Sequence, residues 1–538
     1  GDDQKKEAPP AIEPDALMAR AQVVPVPPGR LASLAFASGR LYFVAHPIVG
    51  SRPVSWGPSE PPKGTLFGWD FGSNKVEQIA EGVTRATVSA DGKVLAVLAD
   101  RRLRVVGVGW KDDKSGKDGP GRESGWVDLD RVRVEVRRTD EWRQMFSEAW
   151  RLQRDLYWFE SMGGVDWVAV HDRYAALVDR LGSRSEFSDL LWEMQGELGT
   201  SHAYEMGGSY RPEPKVTLGR LGVDLEWSRG AWRITGLPAG DSWDPAAASP
   251  LAAPGIDARV GDRVLEVNGV SLDRTTDVGE ALVDQGGRAV EISLARGRAR
   301  PRRIVVKALE DETMLRYRDW VESNRLAVRE ASDGRAGYMH VPDMMGWGYS
   351  EFNRAWLSEV ERDGLVVDVR FNRGGNVSQL LLQRLLRRRL GFRVTRWTDP
   401  AGFPYESPTG PMVCLTNENS GSDGDIFSHA FKLHRLGPLI GTRTWGGVVG
   451  IWPQQSLVDG TVTTQPQFGT WFHDVGYAVE NYGTDPDIEV VTTPHDHAAG
   501  RDPQLERGVD ELLRLIEAAE PLQPDFGPEP SVRPPKLS

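Results

Sequence analysis

Between residues 20 and 135 the apolar positions fall in short β-branched and aromatic runs. LASLAFASGRLYFVAH and VTRATVSADGKVLAVLADRRLRVVGVG are broken by the turn dipeptides Ser38-Gly39 and Asp91-Gly92. Strand, turn and strand at this spacing is how propeller blades read in sequence. There is room for about two or three blades, and a closed propeller needs at least about four. A partial β-propeller-like domain is therefore expected over 20–137. From Asp140 the apolar period becomes three and four, through Trp142, Met145, Phe146, Ala149, Leu152 and Leu156. A second helix is expected behind Asp166, through Trp167, Val170, Tyr174, Leu177 and Leu181. A third starts at the capping-box spacing Ser183…Glu186 and stops at Gly199. Together these predict a small helical domain over 138–212.

Residues 218–309 return to short strands with turn glycines, as in GRLGVDLEW, WRITGL and RAVEISLARG. The segment GIDARVGDRVLEVNG, residues 255–269, resembles the core of a PDZ domain, here placed at 213–310. By that resemblance a peptide end would add as a strand at Arg220, Leu221, Gly222 and Val223, its carboxylate held by loop N–H groups. Residues 239–254 form a loop longer than the fold requires.

Strand and helix then alternate over 311–519, the pattern of an α/β domain. RAGYMHVPDM is a strand, a helix follows over 351–361, and LVVDVR is an apolar strand of the kind buried in a parallel sheet. FNRGGN and a helix through SQLLLQRLLRRRL come next, then the buried strand PMVCLT and a turn at Ser420-Gly421. Further strands are expected in LIGTRTWGG, GTVTTQPQFGTW and GYAVENYG, with a last helix over 503–519. Residues 1–19 are expected to be disordered, and 520–538 form a proline-rich tail.

Composition narrows the classes. At 538 residues, a prior of about 150 residues per domain gives three or four domains. A net charge of −12 argues against a general nucleic-acid binder, and no run of about 18 apolar residues offers a membrane span. Cys414 is the one cysteine, so no intramolecular disulfide can form, and inside its strand it reads as a small hydrophobe. No Cys/His cluster has metal-ligand spacing, so neither metal nor cofactor is expected. The chain opens at Gly1 with polar GDDQKKEAPP, which has no apolar signal core. It reads as a processed product or a piece of a longer chain. A cytoplasmic location is expected, and an already removed export signal is compatible with it.

The chemistry centres on residues 417–434, NENSGSDGDIFSHAFKLH. Ser422 stands where the helix begins, with Asp423 and Asp425 in its first turn. It is either an N-cap that satisfies orphan N–H groups, or a nucleophile presented where free N–H groups and the helix dipole stabilise negative charge. Gly374-Gly375 and Gly421-Ser422-Asp423 both follow strands of the same α/β unit. If the strands are neighbours, N–H groups from both turns could converge as an oxyanion hole; plain turn chemistry accounts equally for the glycines. His429 and His434 share the helix with Ser422. His429, seven residues on, is roughly 10 Å along the axis, too far to take its proton. His202, just past a helix end in Thr200-Ser201-His202, is the best-placed base.

GTSHAYE, the PDZ-like module, RFNRGGN, NSGSDGDIF and VENYGTDPDIEV occur in the order and approximate spacing of the tricorn protease core. The resemblance runs from about Asp140 to Ala519 and implies a crotonase-like α/β catalytic domain. By it Ser422 would be the nucleophile and His202 the general base. Ser201 would orient His202 and Glu480 would hold Ser201, a Ser-His-Ser-Glu tetrad. The N–H groups of Asp423 and of Gly374 or Gly375 would form the oxyanion hole. The chemistry agrees, since a serine needs a neighbouring base and that base needs a group to fix its tautomer. The implied activity is peptide hydrolysis through an acyl-enzyme on oligopeptides, in a homo-oligomer.

The family's two propellers are mostly missing here, and with them its basic clamp for the substrate carboxy terminus. The helix from Ser378 and its exit carry Arg384, Arg387, Arg388, Arg389 and Arg393, with no acid at the spacing where the family supplies one to the specificity pocket. A weakened or reversed preference for basic side chains is expected. The carboxy-terminal processing proteases share the PDZ and α/β core but use a lysine base, and Lys432 lies at the wrong reach. The reading from another class is a peptide-binding PDZ/propeller scaffold with an inactive hydrolase core.

Overall fold

A computed structural model describes residues 17–48, 63–112, 119–520 and 525–528, apart from the isolated positions 22, 212, 215, 242 and 453–454. Residues 1–16 of the segment expected to be disordered, and most of the proline-rich tail, lie outside the described residues, while Met18–Arg20 form a turn of 3₁₀ helix. The chain divides into two compact units, one up to residue 137 and one from 138 onward.

The first unit consists of two antiparallel meanders. Arg30–Ala37, Arg40–His46, Gly64–Asp70 and Lys75–Val83 form a four-stranded sheet, and Arg85–Val88, Val94–Ala99 and Arg102–Gly107 a three-stranded one. Each strand sends alternate residues inward, and Tyr42, Val44, Leu66, Leu95 and Val97 share one core. The described residues give these two sheets and no closed ring.

The second unit opens with three helices, α1 (Arg138–Leu156), α2 (Trp167–Val178) and α3 (Arg184–Gly196). Asp166 caps α2 by accepting from Ala169 N–H, and Ser183 caps α3 by accepting from Glu186 N–H. Glu186 reaches back one residue further than a capping box requires, accepting from Gly182 N–H at 2.7 Å. Trp142, Trp167 and Phe187 are core, with Trp142 stacked on Phe187.

The module that follows is an antiparallel sheet of β1 (Asp224–Ser228), β2 (Ala231–Gly236), β3 (Arg263–Val267), β4 (Ala289–Ala295) and β5 (Arg302–Lys307), in the order β5-β4-β3-β2-β1. Helix α4 (Thr313–Ala331) carries the chain away from it.

Five parallel strands then form the second sheet: β6 (Ala336–His340), β7 (Gly364–Asp368), β8 (Met412–Thr416), β9 (Leu439–Gly441) and β10 (Ile488–Glu489), paired in that order. The first three are buried at every position, which explains their unbroken apolar runs. Their side chains alternate between two cores. Leu365, Val367 and Cys414 face α5 (Gly346–Glu359), α6 (Ser378–Leu385) and α7 (Asp423–Leu433). Val366, Val413 and Leu415 face α4 and α8 (Pro503–Ala518).

Some sequence expectations need correction. The helix expected over 351–361 starts earlier, at Gly346. The arginine-rich helix stops at Leu385, five residues short of its apolar pattern. GYAVENYG is not a strand: Glu480 N–H donates to Tyr477 O and Gly483 N–H to Val479 O, so the backbone is satisfied by local turns. Positive φ at Gly476, Asn481 and Gly483 enforces them.

Candidate active site

β7 and β8 are adjacent in the sheet, so the turns that leave them lie side by side. The first turn holds Gly374 at φ 73° and Gly375 at φ 149°; the second holds Ser422 at φ 58° and ψ −120°. A Cβ on Gly374 would stand 2.5 Å from Ser422 Cβ, and one on Gly375 would overlap the Met344 carbonyl oxygen. Asn372 ties the two turns together. Its carbonyl accepts from Gly421 N–H at 2.9 Å, its Oδ1 accepts from Gly374 N–H at 2.9 Å, and its Nδ2 donates to Val341 O at 2.8 Å.

Two of the loop N–H groups therefore have acceptors. Among the described residues, those of Gly375 and Asp423 have none. Gly374, one of the expected oxyanion donors, already donates to Asn372. Ser422 sits at the N-cap position of α7 but its hydroxyl makes no capping bond. The cap reading thus lacks its defining interaction. A serine held at positive φ in a turn is in a costly conformation that its surroundings must impose.

Asp423 is buried, and its carboxylate accepts from Ser378 N–H at 2.9 Å and Ser378 Oγ at 2.5 Å, binding α7 to the start of α6. Burial raises its pKa, and the Ser378 bonds offset part of that. Asp425 is fully buried and its carboxyl is pushed up to about 6, mainly by desolvation. Its Oδ1 accepts from Gly446 N–H at 2.8 Å, while Oδ2 has no hydrogen-bond partner among the described residues.

The second group of residues comes from the loop after α3 and from the 444–480 region. Ser201 Oγ lies 2.8 Å from His202 Nδ1 and 3.1 Å from Glu480 Oε2. Glu480 Oε1 also accepts from Ser201 N–H at 2.7 Å and Thr200 Oγ1 at 3.0 Å; Oε2 accepts from Val448 N–H at 2.7 Å and Val449 N–H at 3.0 Å. A carboxylate only accepts, so the Ser201 proton points to Glu480 and Ser201 accepts from His202 Nδ1–H. That fixes the tautomer and leaves Nε2 with a lone pair. His202 is 7% exposed, and burial lowers its pKa against a smaller opposing pull from Glu480, so the ring is neutral at pH 7.

Trp445 joins the two groups. Its ring lies 5.3 Å from the His202 ring on one side, and a Cβ on Gly421 would meet its Cε3 at 2.8 Å on the other. No hydrogen bond links Ser422 Oγ to His202 in this structure.

Three segments of the chain match known protein families. Residues 138–196 match the tricorn protease C1 domain, 219–311 the tricorn protease PDZ domain, and 335–490 peptidase family S41. Tricorn protease homolog 1 of Streptomyces coelicolor is 43% identical over 512 residues, covering 94% of this chain and 47% of its own length. The chain belongs to the tricorn protease family. Tricorn protease of Thermoplasma acidophilum is 36% identical over 92% of this chain and 45% of its own length. The crystal structure of the tricorn protease superimposes with a TM-score of 0.84 at 36% identity, covering 92% of this chain and 47% of that one. The chain thus spans about half the length of the curated tricorn relatives it matches.

The other buried histidines, the cysteine and the arginine-rich helix lie elsewhere. His340 is buried between Tyr317 and the Arg370 carbonyl, and His429 pairs with Asp474 at 3.1 Å. Cys414 is fully buried with its thiol pushed well up by desolvation. Arg384 pairs with Glu406 at 2.6 Å and Arg389 with Glu361 at 2.9 Å. Sequence reasoning missed Asn372, Thr200, Trp445 and Asp425. Only Asp425 carried a signal, its place in the first turn of the helix that begins at Ser422. Of the expected peptide-binding edge, Leu221, Gly222 and Val223 are buried, and Gly222 N–H already donates to Glu312 Oε1 at 2.8 Å.

Proposed function

We propose that this chain is the catalytic part of a tricorn-type serine peptidase that hydrolyses oligopeptides through an acyl-enzyme. The observation that carries this is the Ser201–His202–Glu480 relay, which leaves Nε2 basic, linked through Trp445 to the turn of a Ser422 whose hydroxyl caps nothing. Ser422 Oγ attacks the scissile carbonyl carbon while His202 Nε2 takes its proton. The carbonyl oxygen becomes an oxyanion, received by the N–H groups of Asp423 and Gly375. His202 then returns the proton to the leaving amine, and a water activated by the same imidazole releases the acid. Glu480 stabilises the imidazolium only through Ser201, a weaker effect than direct contact. Ser422 and His202 must close on each other when substrate binds, which is common where free-state hydrogen bonds are long.

In the same reading the two meanders are propeller blades, the five-stranded layer is crotonase-like, and the working protein is a cytoplasmic homo-oligomer. The arginines after α6, unlike an acid there, disfavour basic side chains at the cleavage site. Matched peptides cut after Arg, Leu or Glu test this, and a strong Arg preference would sink it.

A scaffold with an inactive core is the second reading, favoured by the missing Ser422–His202 bond. Fluorophosphonate labelling separates the two. Folded protein is expected to label, and Ser422→Ala is expected not to; unlabelled folded wild type would leave the scaffold standing.

A further inference from the structure

In a PDZ-type groove a chain end adds as a strand beside the sheet edge, its carboxylate on loop N–H groups and its last side chain in an apolar pocket. Here the edge strand is β1, paired only with β2 among the described residues, and the loop is 220–223. Gly222, at φ 67°, aims its N–H at the Glu312 carboxylate. Three residues on, Leu315 is fully buried, and its δ-carbons are what a Cβ on Gly222 or on Gly240 would meet, at 3.0 and 2.7 Å. One helical turn from Glu312, Arg316 donates to Val223 O at 3.1 Å and to Asp224 Oδ1 at 2.6 Å, at the start of the open edge. Glu312 and Arg316 also pair with each other at 3.2 Å.

An anion on the loop, an apolar side chain behind it and a donor to the first carbonyl of the edge are the three things a peptide end offers. We propose that the start of α4 occupies the PDZ groove as an internal ligand, with Glu312 in place of a terminal carboxylate and Leu315 in place of the last side chain. The module then braces the chain and does not receive free peptide ends. What it braces is placed for effect. Further along α4, Tyr317 bonds His340 at 3.1 Å and the Trp320 ring lies 6.2 Å from Phe371, on the turn that carries Gly374 and Gly375. An open cleft of about 550 Å³ beside Arg220, Glu312, Arg316 and Trp320 leaves the internal ligand reachable from solvent.

The test uses the full chain with Ser422→Ala, which prevents turnover, and fluorescein-labelled peptides ending in leucine as free acid or as amide. With Glu312 present, no preference for the acid is expected. In Glu312→Ala/Arg316→Gln the acid is expected to bind at least about tenfold tighter than the amide, the discrimination that one charge-assisted contact supplies. Glu312→Gln keeps an acceptor for Gly222 and is expected to stay closed. A parent that discriminates as strongly as the opened variant, or an opened variant that does not discriminate, overturns the proposal. Hydrogen exchange at the Gly222 amide of the unsubstituted chain gives a reading independent of any variant. Protection is expected, and exchange at the rate of an open loop overturns it.

Discussion

Two loops of this molecule aim backbone N–H groups at a point where a carboxylate or oxyanion would fit, and they differ in what answers them. At Gly222 the chain supplies its own acceptor, Glu312, with Leu315 packed behind it. At Gly375 and Asp423 the neighbouring donors Gly374 and Gly421 are both matched by Asn372, while these two stay open among the described residues. A buried donor without a partner costs about 1–3 kcal/mol. On the proposed reading, the loop left short is the one that meets the oxyanion.

The comparison breaks first if Ser422 proves dispensable. Ser422→Ala is expected to lower kcat by about 10⁶-fold, as removal of a serine nucleophile does; peptide hydrolysis rates measure it. The open pair itself is probed by Gly375→Ala, whose Cβ would collide with the Met344 carbonyl. Displacing that N–H is expected to cost about 10²–10³-fold in kcat, and a Tm measured alongside separates lost donation from unfolding. Glu480→Gln keeps acceptors but removes the charge. Because Ser201 stands between Glu480 and the ring, a loss of about 10²-fold is expected, below the ~10⁴ seen where the acid touches the imidazole. A loss of about 10⁴ in steady-state assays would mean that Ser201 transmits the charge undiminished.

The helix that carries Asp423 is probed by pH. Asp425 titrates near 6 when folded and near 3.8 when unfolded, so the unfolded chain ionises more readily and folding loses stability as pH rises from about 4 to 6. That difference corresponds to ~3 kcal/mol. Asp425→Asn removes it, so urea melts at pH 4 and 7 should show the variant gaining on the parent by up to that amount. The smallest effect belongs to the satisfied loop. Glu312→Ala is expected to cost about 1–2 kcal/mol in thermal unfolding, with kcat changed less than about fivefold.

How much of this was legible in the sequence depended on how local its cause was. Buried parallel strands showed as LVVDVR and PMVCLT because burial on both faces leaves no polar alternation. Caps at Asp166 and Ser183 showed because their partners lie three residues on. GYAVENYG misled because its apolar residues suit a strand, while the φ > 0 demanded at Gly476 and Gly483 is decided by turns. The motif match picked out Ser201, His202 and Glu480, but nothing local could show that Val448 and Val449 hold Glu480, or that Trp445 stands between His202 and Gly421. At the expected PDZ edge, likewise, nothing local could show that Gly222 N–H meets Glu312, 90 residues downstream.

The crosslink made by Asn372 has a consequence for how the open pair endures change. The two turns issue from neighbouring strands, and neighbouring strands sit about 4.8 Å apart whatever side chains they carry. The span between the donors is inherited from the ladder of the sheet, with Asn372 acting as a pin that keeps one turn from sliding along the other. Substitutions in the covering helices can alter the size and polarity of the cleft without re-spacing the groups that meet the charge. On the proposed peptidase reading, substrate preference and charge stabilisation are therefore set by separate parts of the fold.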